Sequence, residues 1–192
     1  VTLDDVRLCA ELEDGTLIKG ERNLDRPQHD GALRIKRLFL NGPAKAYEDT
    51  LLAISSADII VLGPGDLYGS VISNLIIEGI SSAIHNSKAK KAYVCNLMTK
   101  HGETNNFKVS DFVFELEKYL EIDSLDYVLV NSAAINPVVL SSYGKENALP
   151  VVFDEDKCKQ FKAKFICADL VTSTEVLRHD SVLLAEKIMS LF

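Results

Sequence analysis

The sequence predicts an α/β protein with a mostly parallel sheet, helices on both of its sides, and an antiparallel hairpin near the start. Three observations carry this. Ala57–Leu62 (ADIIVL), Lys91–Leu97 (KAYVCNL) and Asp126–Ser132 (DYVLVNS) are apolar runs rather than alternating ones, as strands covered on both faces are. Helical spacing of apolar residues lies between them, as at Val113, Leu116 and Leu120. Near the start, Asp14-Gly15 divides two alternating runs, the strongest short-range hairpin signal.

The elements follow in order. Val6–Leu12 alternates and returns after Asp14-Gly15 as TLIKGE (Thr16–Glu21). Asn23–Gly31 reads as a polar loop and Leu33–Leu40 as a strand. Ala44, Tyr47, Leu51 and Ile54 share one helical face before the strand Ala57–Leu62. Ile72, Leu75 and Ile76 begin the next helix, and a further helical piece reaches Asn86. Ser110 is placed to cap the helix of Val113, Leu116 and Leu120. Pro150–Phe153 and Lys164–Val171 read as later strands, and Asp180 or Ser181 as the cap of a last helix with Leu184, Ile188 and Leu191 inward. With no repeat, low-complexity segment or linker, residues 1–192 are expected to form a single α/β domain.

Composition narrows the function classes. The chain has 192 residues, 47% hydrophobic and 26% charged, ordinary for a globular protein with a real core. Its net charge of −7 argues against a nucleic-acid polymer as partner, since that demands a basic face. No apolar run is long enough for membrane insertion and no leader pattern opens the chain, so a cytoplasmic location is expected. The four cysteines, Cys9, Cys95, Cys158 and Cys167, show no CxxC spacing and read as reduced thiols rather than zinc ligands or a disulfide framework. The chain opens on Val1, without methionine, and enters a strand pattern within a few residues; an N-terminal part is therefore expected to be lacking.

Ligands of open α/β sheets sit at the carboxyl ends of the strands, and three stretches lie there. The first is Ile59–Ser70, IIVLGPGDLYGS. Gly63-Pro64-Gly65 lets backbone approach a ligand, the following helix start offers free amides, and Ser70 adds a hydroxyl. A tight connection is an equal reading, and Asp66, a carboxylate inside the turn, opposes a phosphate there unless a metal or arginine intervenes; it would otherwise cap the helix. The second is Asn96–Thr104 (NLMTKHGET), with Asn96, Thr99, Glu103 and Thr104 at a strand end, Gly102 allowing a turn, and His101 as a surface loop residue. The third combines Asn131, Asn136 and Tyr143 with Arg178, His179 and Asp180 from Ser173–Ser181. Arginine clamps a diphosphate through its planar fork and tyrosine stacks on a base or sugar; packing and capping are equal readings for Tyr143, His179 and Asp180. His29 and His85 carry no catalytic pattern, and no Ser-His-Asp or Cys-His arrangement can be assigned.

Taken together, GPGDLYGS (Gly63–Ser70), NLMTKHGET (Asn96–Thr104), YGKE (Tyr143–Glu146) and RHDS (Arg178–Ser181), with the hairpin Asp4–Glu21, resemble the CofD-like family, and within it the YvcK (gluconeogenesis factor) branch. The resemblance spans almost the whole chain. It implies a Rossmann-like three-layer α/β/α fold that binds a nucleotide diphosphate. For the YvcK branch it implies a regulator that senses a UDP-sugar such as UDP-N-acetylglucosamine, linked to cell-wall synthesis, cell shape and growth on gluconeogenic carbon, with no cofactor. For the CofD branch it implies a 2-phospho-L-lactate transferase of coenzyme F420 biosynthesis, with magnesium held partly by Asp66. The expected ligand-binding set is Gly63, Pro64, Gly65, Asp66, Ser70, Asn96, Thr99, Tyr143 and Arg178, with no catalytic residue and no resident metal. A homo-oligomer and a Ser/Thr kinase acting at Ser181 stay open as partners, as does a plain protein-interaction module with a structural loop. The chain departs from the family pattern at Asp66 (usually Ser), Gly69 (usually Thr) and Lys100-His101 (usually Gln-Pro), and the family's opening glycine-rich loop is not in it.

Overall fold

The structure, a computed structural model, describes residues 1–27, 29–171 and 177–191. The hairpin forms as expected. Strand β1 (Leu8–Leu12) pairs antiparallel with β2 (Leu17–Lys19) through the turn at Gly15. Strand β3 (Ile35–Leu40) pairs antiparallel with the other edge of β1, giving a separate sheet of order β2-β1-β3. Between β2 and β3 lies a short helix, α1 (Glu21–Asp25), where the polar composition had read as loop from Asn23 onward. Only its Leu24 is buried, too little to leave an apolar period.

The second sheet is parallel, of order β4-β5-β6-β7: Ile59–Leu62, Lys90–Val94, Tyr127–Asn131 and Lys164–Ala168. Helix α2 (Glu48–Ser56) precedes β4. A π-helix (Leu67–Ile72), running into α3 (Ser73–Leu75), and then α4 (Ile80–Asn86) lead to β5. Helix α5 (Val109–Glu117) leads to β6, and α6 (Pro137–Gly144) and α7 (Glu155–Cys158) to β7, with α8 (Ser181–Met189) following.

Period-two alternation sorts the central strands onto two faces. Tyr93, Val128 and Val130 join Phe112 and Leu116 of α5 in a core that continues through the π-helix to Ala10, Leu12 and Leu38 of the antiparallel sheet. Ala92, Val94 and Leu129 face the other way, packing with Leu170 and with Leu184 and Ile188 of α8. Helices on both faces of a mainly parallel sheet make the fold Rossmann-like α/β. Only β5 and β6 carry the full burial that their apolar runs predict; at the edge, Val61 of β4 is 39% exposed. Among the described residues no helix is long and apolar enough to cross a membrane. The four thiols are free; Cys9, Cys95 and Cys158 are buried and Cys167 is exposed.

Among the local expectations, two are corrected and one is narrowed. Pro150–Phe153 is not a strand: Pro150 makes an isolated bridge to Met98, and the Val151 amide donates to the Leu97 carbonyl at 3.0 Å. The loop has two strand-like bonds, too few to propagate a ladder. Ser110 does not cap α5; Lys108 holds the N-cap, and the Ser110 hydroxyl donates to Asp154 Oδ2 at 2.6 Å. Of the two candidate caps for α8, Asp180 takes the role, accepting from the Val182 and Leu183 amides at 2.9 and 3.0 Å, which leaves Ser181 exposed in the first turn. Residues 173–176 of the predicted third site lie outside the described residues.

Candidate functional site

The carboxyl ends of β4 and β5 open into a cavity of about 850 Å³, within the range of small-molecule sites. The Gly-Pro-Gly turn forms one wall. Gly63 has φ +82, and a Cβ on it would stand 3.0 Å from the Val94 carbonyl oxygen of β5. A Cβ on Gly65 would stand 2.9 Å from Ser70 Cβ. The turn is thus wedged between the next strand and the π-helix, which is why both positions need glycine. Asp66 contributes backbone rather than side chain to the helix start: its carbonyl accepts from the Ser70 and Val71 amides at 2.9 and 3.1 Å, and its carboxylate makes no cap bond. The expected side-chain cap is therefore absent there, because the carboxylate is engaged elsewhere.

Pro64, Gly65, Asp66 and Asn96 line the cavity together with Thr99, Tyr143 and Arg178, while Gly63 and Ser70 do not line it. Residues from four distant stretches are so brought to one cleft. Several spend their polar atoms on holding it. Asn96 Nδ2 donates to the Gly65 carbonyl at 2.9 Å, and its Oδ1 accepts from the Tyr93 hydroxyl at 3.3 Å. Thr99, 4% exposed, exchanges two bonds with Leu149, its amide donating at 2.7 Å and its Oγ1 accepting at 2.9 Å. The Tyr143 hydroxyl accepts from the Leu177 amide at 3.2 Å, tying down the segment that carries Arg178. Asn131 and Asn136 do not reach the cavity: Asn131 Oδ1 accepts from Leu170 N and Ala133 N, and Asn136 caps α6. Asn131 lines a smaller cavity of about 240 Å³ that shares Asn96 and Leu97 with the first.

The main polar feature of the cleft was legible in the sequence only in that Asp66 and Lys100 each depart from the family pattern; its assembly was not. Lys100 Nζ donates to Asp25 Oδ1 and Asp66 Oδ2, each at 2.6 Å, and lies 3.0 Å from Glu103 Oε1. Asp25 comes from the end of α1, in the stretch read as loop. Burial pushes the Glu103 carboxyl up to about 7, with Lys100 opposing the rise. Burial by itself would lower the Lys100 pKa, but the surrounding carboxylates outweigh it and hold the ammonium above the ordinary lysine value. His179 also lines the cavity, as does His101. Burial lowers the His179 pKa against a hydrogen bond to Cys95 backbone, and its buried Nε2 has no partner among the described residues. With the ring neutral and its other nitrogen donating to the Cys95 carbonyl, Nε2 is an acceptor and a natural contact for a ligand hydroxyl.

A transferase of the implied type would place magnesium here. Among the described residues, Asp25, Asp66 and Glu103 offer carboxylate oxygens within 4.8 Å of one another. The Lys100 ammonium stands among them, where a dication would have to sit, so the residues as arranged do not fit the metal.

Comparison with known proteins agrees with the fold. The family described as 2-phospho-L-lactate transferase CofD matches residues 1–171. The gluconeogenesis factor of Halalkalibacterium halodurans is 38% identical over 184 residues, covering 95% of this chain and 56% of the relative. That of Bacillus subtilis is 36% identical over 188 residues, covering 97% and 58%. A crystal structure of a UPF0052-family protein from Bacillus halodurans superposes with a TM-score of 0.90 at 38% identity, over 96% of this chain and 58% of that one. The chain thus spans less than three fifths of the length of these relatives.

Proposed function

The chain belongs to the CofD family, and from that premise we propose that it is a nucleotide-sugar-binding regulator rather than an enzyme. The ligand is a UDP-sugar, UDP-N-acetylglucosamine being the first candidate, and the output is control of cell-wall synthesis, cell shape and growth on gluconeogenic carbon. What supports this most is the single cleft of about 850 Å³ in which the turn at Gly65, the strand end at Asn96, Tyr143 and Arg178 meet. Its volume suits a nucleotide diphosphate carrying a sugar.

Charge divides the cleft. Arg178 is exposed and pairs with no carboxylate among the described salt bridges, which leaves its fork free for the diphosphate. The Asp66 wall carries carboxylates, which repel phosphate and accept hydrogen bonds from hydroxyls. The diphosphate therefore lies toward Arg178, and the sugar toward Asp66 and Lys100, with the acceptor Nε2 of His179 available to a ligand hydroxyl. Asn96 and Thr99 act mainly by keeping the walls in register.

Isothermal titration calorimetry with UDP-N-acetylglucosamine, UDP and GDP tests the reading. Heat with the uridine nucleotides, lost in Arg178→Ala, is the expected result. Heat with GDP alone, or turnover of a deazaflavin precursor, would transfer the chain to the transferase function of its family's name.

A further inference from the structure

We infer that Lys100 is the resident cation of this cleft: its ammonium holds the position among Asp25, Asp66 and Glu103 that a divalent metal would need, and the site is metal-independent because of it. The inference stands on geometry alone and not on the nature of the nucleotide.

An ammonium has three donors and no acceptor, and here three carboxylates surround it at 2.6, 2.6 and 3.0 Å. A magnesium or calcium ion bound to the same oxygens would take up distances of about 2.0–2.6 Å, which places it on the ammonium. Both cannot be held at once. Glu103 adds a second reason for a cation there whenever its carboxyl is ionised. Its side chain is 1% exposed, and neither oxygen has an aligned hydrogen bond among the described residues. A buried carboxyl with no aligned donor either keeps its proton or, when ionised, depends on a nearby positive charge. Arg26 does not supply it, lying 4.0 Å from the far oxygen of Asp25 with a side chain 76% exposed.

The backbone keeps Lys100 in place. Its amide donates to Thr104 Oγ1 at 2.8 Å, and its carbonyl accepts from the Glu103 and Thr104 amides at 3.1 and 2.9 Å. A turn closed by three bonds positions the base of the side chain, unlike that of a free surface lysine. Lys100 and Glu103 sit on this one turn, so the buried acid and its counter-ion are built together. Asp66 belongs to the β4 turn and Asp25 to α1, so the same ammonium also ties three parts of the cleft wall.

Manganese titration followed by electron paramagnetic resonance of the free ion tests this without any nucleotide. The unaltered chain is expected to take up Mn²⁺ only weakly, and Lys100→Arg to match it. Lys100→Met should bind one Mn²⁺ at least roughly tenfold more tightly, and adding Asp66→Asn should remove the gain. Lys100→Gln provides the same test with a polar side chain should the methionine variant not fold. Tight binding of one Mn²⁺ by the unaltered chain would overturn the inference. So would a folded Lys100→Met or Lys100→Gln protein that gains no affinity.

Discussion

Glu103 is 2% exposed and stands next to a lysine, two facts that pull its pKa in opposite directions. Burial prevails, and the folded protein holds the proton up to about pH 7, against 4.5 for the free carboxyl. A group with its folded pKa raised adds stability below the unfolded value and loses it as pH climbs through the folded one. The window is therefore pH 4.5 to about 7, and the loss across it is at most about 3 kcal/mol. Lys100 stays charged throughout that window and adds no slope. Glu103→Gln, which cannot ionise, should show a smaller fall in Tm between pH 5 and pH 8 than the unaltered chain. Equal slopes in the two proteins would refute the assignment. At the same scale two of the departures from the family motif, Asp66 and Lys100, turn out to be one feature, since they pair at 2.6 Å. Each could be read in the sequence, but their partnership with Asp25 could not, because 75 residues separate it from Lys100 and no local pattern spans that distance.

At the scale of elements, the β4 turn shows how far local chemistry reaches. Glycine, proline and glycine in a row after an apolar run announce a sharp exit from a strand. The structure adds that Gly63 lies against the backbone of β5, which cannot yield as a side chain would. Gly63→Ala should cost about 1–3 kcal/mol in urea unfolding, and a shift below about 0.5 kcal/mol would mean the turn relaxes freely. Asn96 illustrates the opposite case. Its type and place invited a role in contacting ligand, yet both ends of its amide are used by Gly65 and Tyr93. Helix α6 was missed for a physical reason: none of its residues is buried, so its sequence carries no apolar face to read. Helix α8 was anticipated because Asp180 caps it and Leu184 is buried.

For the whole molecule, the two faces of the parallel sheet are unequally covered. One joins the large core of α5, the π-helix and the antiparallel sheet; the other packs Ala92, Val94 and Leu129 with Leu170 and the inner side of α8. Leu184, which α8 contributes to that smaller cluster, is 7% exposed. Leu184→Ala should destabilise the protein by about 2–4 kcal/mol, read as a lower urea midpoint with an unchanged slope. A change under about 1 kcal/mol would show that the small cluster collapses around the gap. Because the segment from Leu177 to Asp180 leads directly into α8, loosening the helix should also weaken whatever Arg178 and His179 hold.

What the sequence determined by itself were the features set by neighbours along the chain: the apolar runs of β5 and β6, the Asp14-Gly15 hairpin, the glycine turn after β4, the cap at Asp180 and the ordered motifs that carry the family resemblance. Periodicity and turn chemistry act over a few residues, so they survive in the linear text. Tertiary structure alone decided that the hairpin joins β3 in a sheet of its own. It also decided that Asn96 and Thr99 brace the cleft and that Lys100 gathers Asp25, Asp66 and Glu103. Those outcomes depend on distances across the folded chain, where an ammonium meets carboxylates from three separate elements, and no spacing along the sequence encodes them.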